Sequence, residues 1–354
     1  MALMEHLEAV RPIFIGFHIP AWISPFVKLA DIASIACSCA LSDDRMEKKD
    51  LQNNFKAEPW EEAFETRTED ALLALCDDRP RGIVPSPTLL PDGRSLSRVS
   101  CLLAAVDTQL RYFRYVIRAF GYGDDAESWL VQEGVAPSLA ALDELFWKSE
   151  YHDAAGTAYK VRAVMIDAMG HPERTAAVYA WAAKNRERVF PSQGVHSPAS
   201  PISYAPQEYF PGMKGERLKI PGGILLHRVD TTLFKGMLAA KLSIQAGDPG
   251  AFYLHASDKE SLLAYAKEMC AEVWNAEKNM WDNPHGRPNH AFDCEYYLQA
   301  LAWMLHVSKA RRPEEKQAAT QHQPKAQTQS IRTRPQPAIL GRGAADVLAG
   351  LRRS

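Results

Sequence analysis

The chain has 354 residues, 46% hydrophobic and 24% charged, enough apolar mass to bury one large domain core with appendages. The net charge of −2 hides an asymmetry: residues 309–354 hold ten Lys or Arg against Glu314, Glu315 and Asp346, so this tail is +7 and the remainder −9. Six cysteines without C-x-x-C spacing argue for a reducing, cytosolic compartment, and the apolar stretch Pro12–Phe26 is broken by His18, Pro20 and Pro25 and framed by neither a basic n-region nor a small-residue cleavage site, so neither a signal peptide nor a membrane span is expected there.

Residues 1–66 have too few repeating apolar positions for a core of their own and read as an arm, with a helical run near Pro25–Leu41. Residues 67–97 are expected to be a linker, turn-rich from Asp77 onward. From about Arg98 the pattern becomes three strands, Arg98–Asp107, Arg111–Tyr122 and Ser128–Val135, joined by short turns, which predicts an antiparallel meander. A helix over Ser138–Ser149 follows, capped by Ser138.

Val161–Asp167 is almost continuously apolar, as expected of a strand buried on both faces, and it feeds a helix over Pro172–Asn185. Residues 191–223 read as loop, and Leu218–Val229 as a hairpin turning at Pro221-Gly222-Gly223. Helices are expected at Asp230–Ser243, Lys259–Ala271 and His290–Val307, with a short strand at Ala251–His255. The body is thus a mixed α/β sheet of residues 98–308, and its order of elements resembles that of ribonuclease H-like nucleases. The Gln-, Pro- and Arg-rich segment 309–354 is expected to be a flexible basic tail, ending in a helix near Ala344–Arg353 that folds on a partner through Val347, Leu348 and Leu351.

Three aspartates sit where a carboxylate is costly: Asp107 and Asp167 end apolar strands, and Asp293 lies on the apolar His290 helix, nearly opposite the Glu295–Gln299–Ala302–His306 stripe. Taken singly, each has an ordinary alternative as a turn residue or a helix cap. Together they outline a site where divalent cations offset buried charge, and hard oxygen ligands with little histidine favour Mg²⁺ or Mn²⁺ over Zn²⁺. Two such ions about 4 Å apart suit phosphodiester hydrolysis by water.

The runs Ala105-Val106-Asp107-Thr108-Gln109, Val164-Met165-Ile166-Asp167-Ala168-Met169-Gly170-His171 and Arg287-Pro288-Asn289-His290-Ala291-Phe292-Asp293-Cys294 resemble the nuclease domain of the lambda-type phage terminase large subunit. Val229–Lys235 and Pro249–His255 match the pattern between them, so the resemblance covers about 98–308. Ile15–Pro20 and Glu58–Glu62 are similar to the end of that family's ATPase domain, yet no G-x-x-x-x-G-K-[ST] phosphate loop occurs, and a C-terminal portion of a longer protein is expected.

The resemblance implies a metal-dependent endonuclease in the host cytoplasm that cuts concatemeric double-stranded DNA during viral genome packaging. Asp107, Asp167 and Asp293 would be both the catalytic and the metal-binding residues, and the small subunit and, through the tail, the portal protein would be its partners. His171, His290 and Glu127 are second-tier candidates near the site, and Lys214, Arg217, Lys219 and Arg228 are candidate phosphate contacts. The rival readings are a junction resolvase of the same fold and a non-catalytic packaging adaptor.

Overall fold

The structure, a computed structural model, describes residues 19–41, 45–58, 68–169, 172–196, 198–211, 218–256, 259–275 and 278–314. The chain divides into a body, Met1–Arg312, and a segment, Pro313–Ser354, of which only Pro313 and Glu314 are described. His171, Lys214, Arg217, the tail's terminal helix and most of the two upstream motifs lie outside the described residues.

The body is a mixed α/β structure built on an eight-stranded sheet. Its strands in chain order are β1 (Cys101–Thr108), β2 (Phe113–Phe120), β3 (Ser128–Ala136), β4 (Val161–Asp167), β5 (Val189–Val195), β6 (Ile202–Tyr209), β7 (Lys219–Asp230) and β8 (Phe252–Tyr253). They lie side by side as β6-β7-β5-β4-β1-β2-β3-β8. The meander β1–β2–β3 is antiparallel as expected, while β4 and β5 run parallel to β1 in the middle of the sheet.

Helices cover both faces. On one lie α1 (Glu69–Leu73), α2 (Thr231–Leu242), α3 (Lys259–Met269) and α4 (His290–Met304), packed on Leu103, Ala105, Ala163 and Met165. The other face buries Leu102, Ala104, Val106, Val164 and Ile166 under the helix Pro172–Lys184 and the helical stretch after Ser138. The Ser138 hydroxyl accepts the Ala141 amide at 3.2 Å, as its predicted cap requires.

Three of the eight strands depart from the sequence expectation. Residues 191–223 are not mainly loop, because β5, β6 and the start of β7 lie there. Pro191 and Pro206 mask this, and both occupy strand positions that give up a ladder donor. Pro221-Gly222-Gly223 does not turn a hairpin but bulges within the single strand β7, which pairs antiparallel with β6. Both glycines hold positive φ, 72° and 59°, and the Arg186 guanidinium at 3.4 Å from the Gly222 carbonyl also donates to those of Pro221 and Gly223, so the bulge is tied to the body.

Part of the 67–97 stretch joins the core: Leu72 of α1 is fully buried, Val84 is too, and Ile83–Val84 pairs with Tyr151–Asp153. At the other end of the body, Val307 is buried and Arg312 donates to the Ser97 carbonyl at 3.3 Å.

Candidate active site

Strand geometry brings the first two aspartates together. Side chains alternate along a strand, so Asp107 shares a face with Leu103 and Ala105, and Asp167 with Ala163 and Met165. Both therefore point to the face covered by α4. Val106 is in register with Ile166 on the adjacent parallel strand, which places Asp107 beside Asp167 at the carboxyl ends of the two strands. The Thr108 hydroxyl donates to the Asp167 carbonyl at 2.6 Å and locks this juxtaposition. Asp293, on the first turn of α4, completes the set, and all three line one pocket of about 290 Å³ together with Lys235, Asn289, Thr231, Tyr296 and Tyr297.

The helix carrying Asp293 is fixed at its start. Its Ala291 amide donates to Glu268 Oε2 at 2.8 Å, and Glu268 is held in turn by Arg114 Nε at 3.0 Å. Arg114 is the cross-strand partner of Asp107 and also pairs with Glu133. Across the pocket, Gly194 on β5 permits a close approach that no other residue allows: a Cβ there would meet the Tyr296 hydroxyl at 2.7 Å and the Thr231 methyl at 2.8 Å.

Each carboxylate has defined partners. Asp107 Oδ2 accepts Gln109 Nε2 at 2.6 Å and faces His290 Nδ1 at 2.7 Å. Asp167 Oδ1 accepts the Tyr297 hydroxyl at 3.1 Å and the Met169 amide at 3.4 Å. Asp293 Oδ1 lies 3.0 Å from the Lys235 ammonium, and its Oδ2 accepts Asn289 Nδ2 at 2.8 Å.

Burial, then the neighbouring Asp107 charge, pushes the Asp167 carboxyl up to about 7. Burial likewise pushes Asp293 up to about 6; Lys235 pulls it down, while Glu272 and Asp107 push it up. The bond to Asp107 raises His290 above its ordinary value. For Lys235, burial works against the charge, but Asp293 and Glu272 outweigh it and raise its pKa.

This set suits a hard divalent cation in its donor chemistry: three carboxylates from three elements, two of them straining against their own charge, share one pocket. Lys235 and His290 already face two of the carboxylates, and among the described residues no group of three or more His, Cys, Asp or Glu stands close enough to grip an ion.

The second-tier residues divide. His290 reaches the site, whereas Glu127 does not: it precedes β3 at the opposite end of the sheet from Asp107, 3.2 Å from Arg98, which neutralises it. Arg228 is exposed on β7 in register with Gln193, a pocket residue, while Lys219 lines a separate cavity of about 580 Å³ with Arg186, Phe190 and Ile224. Glu295 and Gln299, on the stripe opposite Asp293, are not on a wet face. Arg118 holds Glu295 through two bonds of 2.8 Å, and both side chains are fully buried, so α4 is enclosed almost all round.

The sequence reading missed Lys235, Glu272 and Tyr297. Lys235 had a legible signal, since it sits three residues before buried Leu238 and seven before buried Leu242, on the inward side of α2.

The model of the family "Terminase large subunit gpA, endonuclease domain" matches residues 14–314. A curated relative, the "Terminase, large subunit" of Escherichia phage lambda, is 26% identical over 339 residues, covering 88% of this chain and 48% of that protein. The chain therefore spans about half the length of the curated relative it matches. No solved structure matches it.

Proposed function

The chain belongs to the terminase large subunit gpA endonuclease family, and on that premise we propose that it is a metal-dependent endonuclease that cuts concatemeric duplex DNA in viral genome packaging, with Asp107, Asp167 and Asp293 as its catalytic and metal-holding residues. The observation that carries this reading is the meeting of these three carboxylates, 60 or more residues apart in sequence, in one pocket at the strand ends. The meander followed by two parallel strands supports the ribonuclease H-like reading of the fold.

Divalent Mg²⁺ or Mn²⁺, two ions when both positions fill, would supply Lewis-acid polarisation of the phosphodiester and a bound water of lowered pKa. The chain's residues prepare for it. Tyr297 orients Asp167, Asn289 orients Asp293, and Gln109 and His290 orient Asp107. Water is the nucleophile, because no pocket hydroxyl is activated: Thr231 donates to the Val195 carbonyl, and burial holds the Tyr296 and Tyr297 phenols well above their ordinary range. Arg228 and Lys219 contact backbone phosphates, and Lys214 and Arg217 are proposed for the same role from sequence. The small subunit and the portal are the proposed protein partners, the portal through the basic tail, in the host cytoplasm. No helix among the described residues is long and apolar enough to cross a membrane.

One observation favours a second reading, the non-catalytic packaging adaptor: Lys235 and His290 already occupy one side of two of the carboxylates. Incubating the chain with supercoiled plasmid in Mn²⁺ and in chelator separates the two. Chelator-sensitive nicking supports the nuclease, and intact plasmid supports the adaptor.

A further inference from the structure

Lys235 is an unusual residue to find beside an acidic site. It lies on α2, is 7% exposed, and its ammonium contacts Glu272 at 2.7 and 2.8 Å and Asp293 Oδ1 at 3.0 Å. The rings of Phe292 and Tyr296 stand 5.3 and 5.0 Å from it and close the remaining approach. Glu272, buried in its turn, also accepts Asn289 Nδ2 at 2.6 Å, and the same amide nitrogen donates to Asp293 Oδ2. Both oxygens of Asp293 are thus gripped, one by Lys235 and one by Asn289, and Glu272 braces both of those groups from behind.

An ammonium committed to two carboxylates has no donor left for substrate. A carboxylate oxygen, in contrast, keeps a second lone pair after accepting one bond, so Asp293 still faces the pocket with ligating capacity. We propose that the Glu272–Lys235 pair and Asn289 form a buried clamp that positions Asp293 for the divalent ion, making Lys235 and Glu272 positioning residues of the nuclease site. This rests on the metal-dependent reading of the pocket and specifies how its third carboxylate, the one on a helix instead of the sheet, is held to the geometry the other two define. Partners behind metal ligands set ligand orientation and typically govern affinity by roughly 10- to 100-fold.

A single removal of Lys235 would mix two effects, since it also makes the pocket more negative. The double variant Lys235→Met with Glu272→Gln removes one charge of each sign and leaves the balance unchanged. Exchanging a buried ion pair for uncharged side chains of similar volume is tolerated in many folds, and glutamine keeps an oxygen for the Asn289 amide.

The test is Mn²⁺ binding by calorimetry, with thermal melting alongside, on the full chain, the double variant and Asn289→Ala. The last loosens the same carboxylate from its other oxygen at a half-buried position and serves if the double variant does not fold. The expected result is a Mn²⁺ affinity about 10- to 100-fold weaker in both, with melting in the absence of metal near that of the parent. Parental affinity in the folded variants overturns the clamp while leaving the metal site intact. Failure of the parent chain itself to bind Mn²⁺, with Asp107→Ala no different, overturns the metal-dependent reading and the clamp with it.

Discussion

Asp167→Asn changes charge with little change of shape. The new side chain keeps an oxygen for the Tyr297 hydroxyl at 3.1 Å and the Met169 amide at 3.4 Å, so the main loss is the ionisable proton. The folded-state carboxyl sits at about 7 against an ordinary 3.8, chiefly through burial and then through Asp107. A carboxyl raised by folding holds its proton more tightly in the native state, so the native state binds more protons than the unfolded chain between these two values. Stability therefore falls as pH rises from about 4 to about 7, and the full penalty stands above 7. That penalty is about 4 kcal/mol at pH 8 and about 2 kcal/mol at pH 5. With an unfolding entropy of about 0.65 kcal/mol/K for a body of this size, Asp167→Asn should raise Tm by roughly 6 °C at pH 8 and roughly 3 °C at pH 5, without metal. Scanning calorimetry in chelator at the two pH values measures both shifts. A Tm difference that is the same at pH 5 and pH 8 would refute the assignment of a strained, buried charge to Asp167.

Asp107→Ala, Asp167→Ala and Asp293→Ala should each lower Mn²⁺-dependent DNA cleavage by at least roughly 100-fold with the fold intact, read by plasmid nicking and circular dichroism. Glu295→Ala should cost about 3–5 kcal/mol in a denaturant melt, because it strands the fully buried Arg118 guanidinium; a loss under about 1 kcal/mol would mean water reaches that pair. Since no phosphate loop occurs in the sequence, the purified 354-residue chain should release no phosphate from ATP, with or without DNA, and sustained turnover would contradict this. Removing residues 315–354 should spare cleavage and abolish portal binding; a loss of DNA affinity that grows at low salt, with portal binding kept, would assign the basic tail to DNA instead.

The parts of the site legible in the sequence were those written in strand periodicity. Val161–Asp167 is an almost continuous apolar run ending in a carboxylate, and Cys101–Thr108 repeats the pattern, so both strands and both aspartates stood out. Strands β5 and β6 were hidden for the opposite reason. Pro191, Gly194 and Pro206 interrupt the signal of β5 and β6, although Gly194 is there so that Tyr296 can approach the strand. Helical periodicity on α4 set Glu295 on the stripe opposite Asp293 but gave no sign that both sides are enclosed. The Glu295 carboxylate is buried because Arg118, from the central meander and distant in sequence, meets it. Pairings of this kind, like Lys235 with Glu272 and Asp293, are tertiary and have no local signature.

On the proposed function, Asp107, Asp167 and Asp293 together hold divalent cations. The most direct measurement is anomalous scattering from a crystal of the chain soaked in Mn²⁺. Density among the three carboxylates, lost in Asp167→Asn, is the expected result, and a Mn²⁺-saturated crystal with no density in that pocket would contradict it.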